Sequence, residues 1–133
     1  MPIEYEVSQD GKRIDVSPRG VLDAKQAIEY FKKLEFDSSV KPNAIEVVDF
    51  SEVTDFRMSY LDSQDVTQRY QKPKSAHSIR ATVFISKSTV AFGISRMLQA
   101  LLEIADPEHK VFVVKTDAEL EEQLSKLQQE IQD

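Results

Sequence analysis

The sequence predicts an α/β domain in which a mostly parallel, five-stranded sheet carries helices on its faces. Two patterns support this fold class. Stretches rich in β-branched residues alternate with stretches whose apolar residues recur every three or four positions. The 133-residue chain also has only three glycines and five prolines, and it contains no internal repeat or low-complexity linker. We therefore expect short connections and a single domain spanning residues 1–133.

The N-terminal part predicts a hairpin followed by a helix. Residues 3–7 alternate apolar and polar side chains, as a half-buried strand does. Asp10-Gly11 is typical of a hairpin turn, and a second strand follows from residue 12 to about residue 17. Asp23 is placed to cap a helix with one buried face. The apolar positions of that helix are Ala24, Ala27, Ile28, Phe31 and Leu34.

Three further strands complete the predicted sheet. Residues 44–50 are a nearly continuous apolar run, which is typical of a central strand covered on both faces. β-branched residues indicate a strand over residues 79–85, and the last strand covers residues 111–114. The order β-β-α-β-α-β-α-β-α predicts right-handed crossovers between parallel strands. Ligands of such sheets gather at the carboxyl ends of the strands, which here are the loops 49–59 and 86–89.

Three helices alternate with these strands. The helix over residues 59–71 has few apolar side chains, so we expect it to be held lightly on the sheet and to end at Pro73. The helix that begins at about residue 90 is more apolar than one buried stripe requires. A capping box at residues 116–119 opens a terminal helix whose apolar stripe packs on the sheet or, in a homodimer, on a second copy of the chain. That stripe consists of Leu120, Leu124, Leu127 and Ile131.

Composition narrows the class of function and the compartment. The net charge of -6 argues against nucleic acid as a partner, because a phosphate backbone requires a basic surface. The absence of cysteine excludes disulfides and thiolate metal sites and fits a reducing compartment. Residues 1–10 lack the apolar core of a signal peptide, and polar residues interrupt the apolar stretch 90–105. We therefore expect a cytoplasmic protein.

The order of elements and the segment 49–56, which reads DFSEVTDF, resemble the STAS domain of the sporulation anti-anti-sigma factors. The motif of that family reads Asp-Leu-Ser-x-Val-x-x-Ile-Asp-Ser-Ser-Gly, and the second of its paired serines is the regulatory phosphorylation site. The resemblance places Ser59 at the phosphoserine position. Arg57, Met58 and Tyr60 depart from the motif, which has aspartate, serine and glycine at these places.

The chain also resembles the bacterial SpoIIAA-like subfamily of STAS-like domains, which is related to the CRAL-TRIO lipid-transfer domains. This resemblance rests on segment 91–97, which reads AFGISRM, and on segment 111–124. It covers roughly residues 3–124. It implies a STAS-like fold, binding of lipophilic molecules and reversible contact with a membrane surface.

Two loops and the helix between them supply the candidate binding residues. Ser59 either caps its helix or carries a phosphate, since the free amides at a helix start favour an anion. Segment 86–89 offers hydroxyls and a lysine that either cap the next helix or hold a small anion, with Arg57 approaching from the neighbouring loop. The lightly held helix and its apolar neighbour either form plain core or open to admit an apolar ligand. The residues we expect to bind a ligand are Phe56, Arg57, Ser59, Tyr60, Ser86, Ser88 and Phe92.

No residue pattern indicates catalysis. His77 and His109 stand in polar, turn-like settings away from any nucleophile, so we expect both to be solvated surface side chains. Asp49, Glu52 and Asp55 cluster after a strand, where such residues usually cap and solvate a turn and do not hold a metal ion. We expect neither a metal nor a cofactor.

We interpret the chain as a non-enzymatic regulatory module that binds a small anionic or lipophilic ligand or a protein partner. One alternative is a carrier of lipids or other hydrophobic ligands that associates reversibly with membranes. Another is a phosphorylation-controlled partner protein of the anti-anti-sigma type, with Ser59 as its phosphorylation site.

Overall fold

The computed structural model describes the backbone of residues 3–132 and the side chains of residues 3–130. Its strands are β1 (Glu4–Val7), β2 (Arg13–Ser17), β3 (Gly20–Asp23), β4 (Ile45–Asp49), β5 (Val53–Arg57), β6 (Ala81–Ile85) and β7 (Lys110–Val114). Its helices are α1 (Ala24–Glu35), α2 (Tyr60–Arg69), α3 (Gln71–His77), α4 (Thr89–Ala105) and α5 (Asp117–Gln132).

The central sheet has the order β1-β2-β4-β6-β7, with β1 antiparallel to β2 and every other pair parallel. The predicted α/β fold with a mostly parallel, five-stranded sheet is therefore confirmed. The total strand count was too low, because β3 and β5 form a second, parallel two-stranded sheet. Both are short, and three of the five residues of β5 are exposed, two of them charged, so its sequence resembles a loop.

The two faces of the central sheet bury two separate cores, because successive side chains of a strand point to opposite faces. On one face, Val47 and Val83 pack with α5 through Leu120, Leu124 and Leu127. The opposite face packs against α1, α2 and α4. The predicted terminal stripe thus lies on the sheet for three of its four members, and the side chain of Ile131 lies outside the described residues.

Local signals in the sequence set several element ends. Gly11 has a φ of +76° in the β1–β2 turn, and a Cβ there would lie 2.5 Å from the carbonyl oxygen of Ser39. Asp23 caps α1 by accepting a hydrogen bond from the Gln26 amide at 2.9 Å. At α5 the predicted capping box is half formed: the Thr116 hydroxyl accepts from the Glu119 amide, but the Glu119 carboxylate accepts from the amide of Lys115.

The region between β5 and β6 holds two helices where one was predicted. α2 ends at Arg69, and α3 begins at Gln71 with Pro73 in its first turn, where the missing amide costs no hydrogen bond. Pro73 therefore does not end the helical segment. α2 packs against α1 and α4 through Val66, which is only 5% exposed, and Tyr70 just after the helix is 3% exposed.

Candidate functional site

A buried carboxyl group lies on the helical face of the central sheet. Glu46 on β4 is only 3% exposed, although its neighbours along the strand are apolar. The hydroxyl of Tyr30 donates to Glu46 Oε2 at 2.5 Å. The hydroxyls of Tyr70 and Thr82 donate to Oε1 at 2.8 and 3.0 Å. A single glutamate inside a nearly continuous apolar run is therefore the centre of a polar cluster, whose members come from α1, β4, β6 and the junction of α2 and α3.

His109 extends this cluster, which corrects the expectation that it is a solvated surface residue. The side chain is 4% exposed, and its Nε2 lies 2.8 Å from Thr82 Oγ1. The turn before β7 directs this side chain into the protein interior, although the polar sequence of the turn predicts an exposed position. His77 is not a solvated surface side chain either. It is half-buried, and its Nε2 lies 2.5 Å from the carbonyl oxygen of Leu34.

Burial dominates the acid–base properties of the cluster. Burial raises the pKa of the Glu46 carboxyl above its ordinary value, although the hydroxyls of Tyr30, Tyr70 and Thr82 act in the opposite direction. It raises the pKa values of Tyr30 and Tyr70 well above 10 as well. For His109, burial and then the charge of Lys74 lower the pKa to about 4. Hence His109 is neutral at pH 7.

The hydrogen-bond pattern assigns the proton of His109. Nδ1 of this side chain has no hydrogen-bond partner among the described residues. A neutral imidazole with its proton on Nε2 donates to Thr82 Oγ1, and Thr82 in turn donates to Glu46. This tautomer leaves only a lone pair unsatisfied at Nδ1, which costs less than an unpaired buried N–H. The cluster is thus a continuous chain of donors ending at the carboxyl group of Glu46.

An apolar cavity of about 90 Å³ lies against the cluster. Glu46, Tyr30 and Tyr70 contribute to its wall, and most of the remaining lining is apolar. The apolar lining comes from α1, α2, α4 and the sheet, and it includes Ala27, Phe31, Val48, Val66, Leu98 and Leu102. The arrangement combines an apolar space with a few convergent polar groups, which is the usual composition of a small-molecule site.

The residues predicted for binding occupy several places on the carboxyl-end rim. Phe56 and Ser88 do meet, since both line a cleft of about 250 Å³ together with Val90 and Ile94. The segments 49–59 and 86–89, which the sequence places at the carboxyl ends of two strands, therefore meet at this cleft as expected. Ser88 also caps α4 by accepting a hydrogen bond from the Ala91 amide at 3.1 Å.

Three predicted residues lie at the rim without lining this cleft. Arg57 is exposed, and its guanidinium pairs with Asp55 at 2.7 Å. Ser59 caps α2: its hydroxyl accepts from the Asp62 amide at 3.0 Å, and Asp62 accepts from the Ser59 amide at 3.2 Å. Tyr60 begins α2 and is 59% exposed. The capping interpretation of Ser59 is confirmed.

Two predicted residues lie away from the cleft. Ser86 is only 2% exposed, and its hydroxyl donates to the carbonyl oxygen of Val114 at 3.4 Å. Phe92 is half-buried beneath the ammonium group of Lys115, which lies 4.3 Å from the ring centroid. Both side chains thus face the end of β7, so the cleft brings together only two of the seven predicted residues.

Acidic residues after β4 form a turn. The Asp49 carboxylate accepts hydrogen bonds from the amide and hydroxyl of Ser51 at 2.9 and 2.5 Å. Among the side chains that the structure describes, no three histidine, aspartate or glutamate residues are grouped to hold a metal ion. No helix within residues 3–132 is both long and apolar enough to cross a membrane.

The sheet order, the pairing of strands and the placement of helices define a SpoIIAA-like STAS fold. A solved structure of the anti-sigma factor antagonist SpoIIAA in its unphosphorylated form is similar, with a TM-score of 0.52 and 11% identity over 92% of this chain and 97% of that one. The structure of an uncharacterized protein of the DUF3478 family with a SpoIIAA-like fold, from Shewanella loihica PV-4, is also similar. It gives a TM-score of 0.53 and 15% identity over 88% of this chain and 87% of that one. No sequence model of a protein family and no curated protein matches the chain.

Proposed function

We propose that this chain is a regulatory STAS-type module that takes up a small apolar molecule in the cavity beside Glu46. The module acts by binding and not by catalysis, and it works in the cytoplasm. The observation that carries the proposal is the cavity itself, an apolar space whose wall includes a buried, hydrogen-bonded carboxyl group. The space is smaller than a cavity of roughly 150 Å³ that binds benzene, so a ligand must displace its walls.

Helix α2 supplies the wall that responds to the ligand. Val66 and Tyr70 contribute the inner side of this helix to the cavity, while Tyr60 and Leu61 at its start are 59% and 73% exposed. A ligand that pushes on Val66 moves the whole helix, because a helix transmits displacement along its axis. Such a shift would reposition the exposed pair, which provides a surface for a protein partner.

The proposal is tested by filling the cavity. Ala27 lines it from α1, and we expect Ala27→Leu to occupy the space that a ligand needs. Ala100→Leu on the exposed side of α4 is the matched control, since it adds the same atoms without touching the cavity. The measurement is the change in amide NMR shifts on titration with 1-octanol.

We expect octanol to shift the amide signals of Val66 and Tyr70 in the unmodified chain and in Ala100→Leu, and to leave them unchanged in Ala27→Leu. Shifts confined to the rim around Phe56 and Ser88, or full binding by the Ala27→Leu variant, would contradict the proposal.

A second candidate function is a phosphorylation-controlled interaction through Ser59. This serine is exposed at the start of α2, where helix amides favour an anion, and the similar SpoIIAA structure is of an anti-sigma factor antagonist. The Asp62 carboxylate beside it opposes a phosphate by repulsion. Incubation with bacterial lysate and ATP, followed by mass spectrometry, tests this candidate. Phosphate on Ser59 supports it, and an unmodified Ser59 beside phosphorylated control proteins counts against it.

A further inference from the structure

A second, larger depression runs between α1 and the α2–α3 segment. This groove has a volume of about 600 Å³. Ile28, Phe36 and Pro73 give it apolar walls, and Phe36 is 82% exposed at the end of α1. A phenyl ring this exposed beside a groove offers apolar surface that water solvates poorly.

The groove is cationic although the chain as a whole carries a net charge of -6. Lys32, Arg69 and Lys72 line it, with Glu35 as the acidic member of the lining. Arg69 is paired with Asp65 across one helical turn. Lys32 and Lys72 are exposed and form no ion pair within the described part of the chain. Two lysines outside any described ion pair therefore line a groove that also has apolar walls.

Phe31 connects this groove to the cavity beside Glu46, because its side chain lines both. The ring is half-buried and packs against Tyr30 and Tyr70 with centroid distances of 5.6 and 5.4 Å. Tyr70 holds Glu46 through its hydroxyl, so its ring is fixed. The ring of Phe31 is therefore shared by the walls of the two spaces.

We propose that the ligand is a single-chain amphiphile with an anionic head group, and that it enters through this groove. The inference rests on the proposed function and specifies its ligand class and route. The carboxylate or phosphate head pairs with Lys32 and Lys72, the first part of the chain lies along the groove, and the chain end passes Phe31 into the cavity. The volumes of about 600 and 90 Å³ fit this division, with only a short chain end in the inner space.

The head-group assignment is tested with three probes of equal chain length: decanoate, 1-decanol and decyltrimethylammonium, each below its micelle concentration. Binding is measured by calorimetry to the full chain and to a Lys32→Gln/Lys72→Gln variant. Lys87→Gln/Lys126→Gln is the matched control, because it removes the same charge from lysines outside the groove. We expect decanoate to bind tightest, about fivefold weaker in the groove variant and unchanged in the control, since exposed ion pairs contribute modestly.

Three outcomes bear on the inference and on the proposed function. If none of the three probes binds, both the inference and the proposed function are contradicted. If decanol binds as tightly as decanoate and the groove variant changes neither, the cavity ligand is apolar and the inference is overturned while the proposed function stands. If the chain sediments with vesicles of phosphatidylcholine and phosphatidylglycerol but does not bind monomeric decanoate, the groove is a membrane contact and the inference is again overturned.

The route is tested by the rate of association, measured by stopped-flow fluorescence. Phe31→Ala removes the ring that lines both the groove and the cavity, so we expect decanoate to associate several-fold faster. Phe31→Trp should slow association by a similar factor, with circular dichroism showing that both variants are folded. Equal rates in folded Phe31→Ala, Phe31→Trp and unmodified chains would overturn the route through Phe31.

Discussion

His109 provides a pH-dependent test of the buried cluster. Its pKa falls from 6.5 to about 4 on folding, because the charged imidazolium cannot be solvated beside Thr82 and is repelled by Lys74. Each unit of pKa corresponds to about 1.4 kcal/mol, so the difference is worth about 3 kcal/mol of folding free energy. Since the folded-state pKa is depressed, this contribution is present in full above pH 6.5 and is lost as the pH falls from 6.5 to about 4.

Glu46 acts in the opposite sense in the neighbouring pH range. Burial raises the pKa of the Glu46 carboxyl in the folded state. Its contribution to stability is therefore complete when the pH is below the pKa of the unfolded state, and it is lost as the pH rises through the pKa of the folded state. The two titrations are separated by working in a Glu46→Gln background. There, His109→Gln removes the remaining buried titration and keeps a side-chain N–H that can donate to Thr82.

The assay is urea unfolding between pH 7.5 and pH 4, followed by circular dichroism. We expect the Glu46→Gln chain to lose about 3 kcal/mol more over this range than the Glu46→Gln/His109→Gln chain, because only the former takes up a proton at residue 109 on unfolding. Parallel stability profiles for the two chains would show that His109 titrates normally in the folded state and would refute its burial in the cluster.

Three further comparisons test the local structure by the free energy of unfolding. Ser59→Ala should cost about 1 kcal/mol by removing the cap of α2, whereas Ser59→Asp should cost much less; equal losses would argue against the cap. Gly11→Ala should cost more than Gly20→Ala, because both have positive φ but only the first would drive a Cβ against Ser39; the reverse order would contradict the turn. Leu127→Ala should cost about 2–5 kcal/mol, since its side chain is fully buried between α5 and the sheet, and a loss below 1 kcal/mol would mean that α5 is not docked there.

The sequence predicts the central sheet because its signals are local and agree with one another. The apolar run at residues 44–50, the β-branched stretch at residues 79–85 and the cap at Asp23 each mark an element that the structure contains. The sequence does not predict β5 because Asp55 and Arg57 are exposed on a short strand that pairs with β3 outside the central sheet. Pairing between strands that lie more than 30 residues apart leaves no periodic pattern in such a short, polar segment.

The candidate site could be predicted only in part. Phe56 and Ser88 lie close together because the chain leaves the central sheet after β4 and after β6 at the carboxyl ends of two neighbouring parallel strands. The buried cluster depends on tertiary contacts between Tyr30, Glu46 and His109, which come from three distant segments. One signal was available in advance: a glutamate inside a run of apolar residues must be buried with hydrogen-bond donors or disrupt the strand.

The occupancy of the inner cavity can be observed directly by crystallography with a heavy-atom label. Crystals of the chain soaked with 8-bromooctanoate should give an anomalous bromine peak between Val48 and Leu98, with the carboxylate beside Lys32 and Lys72. A well-ordered map with no bromine at that position, or with bromine only near Ser88, would contradict the account of where this protein holds its ligand.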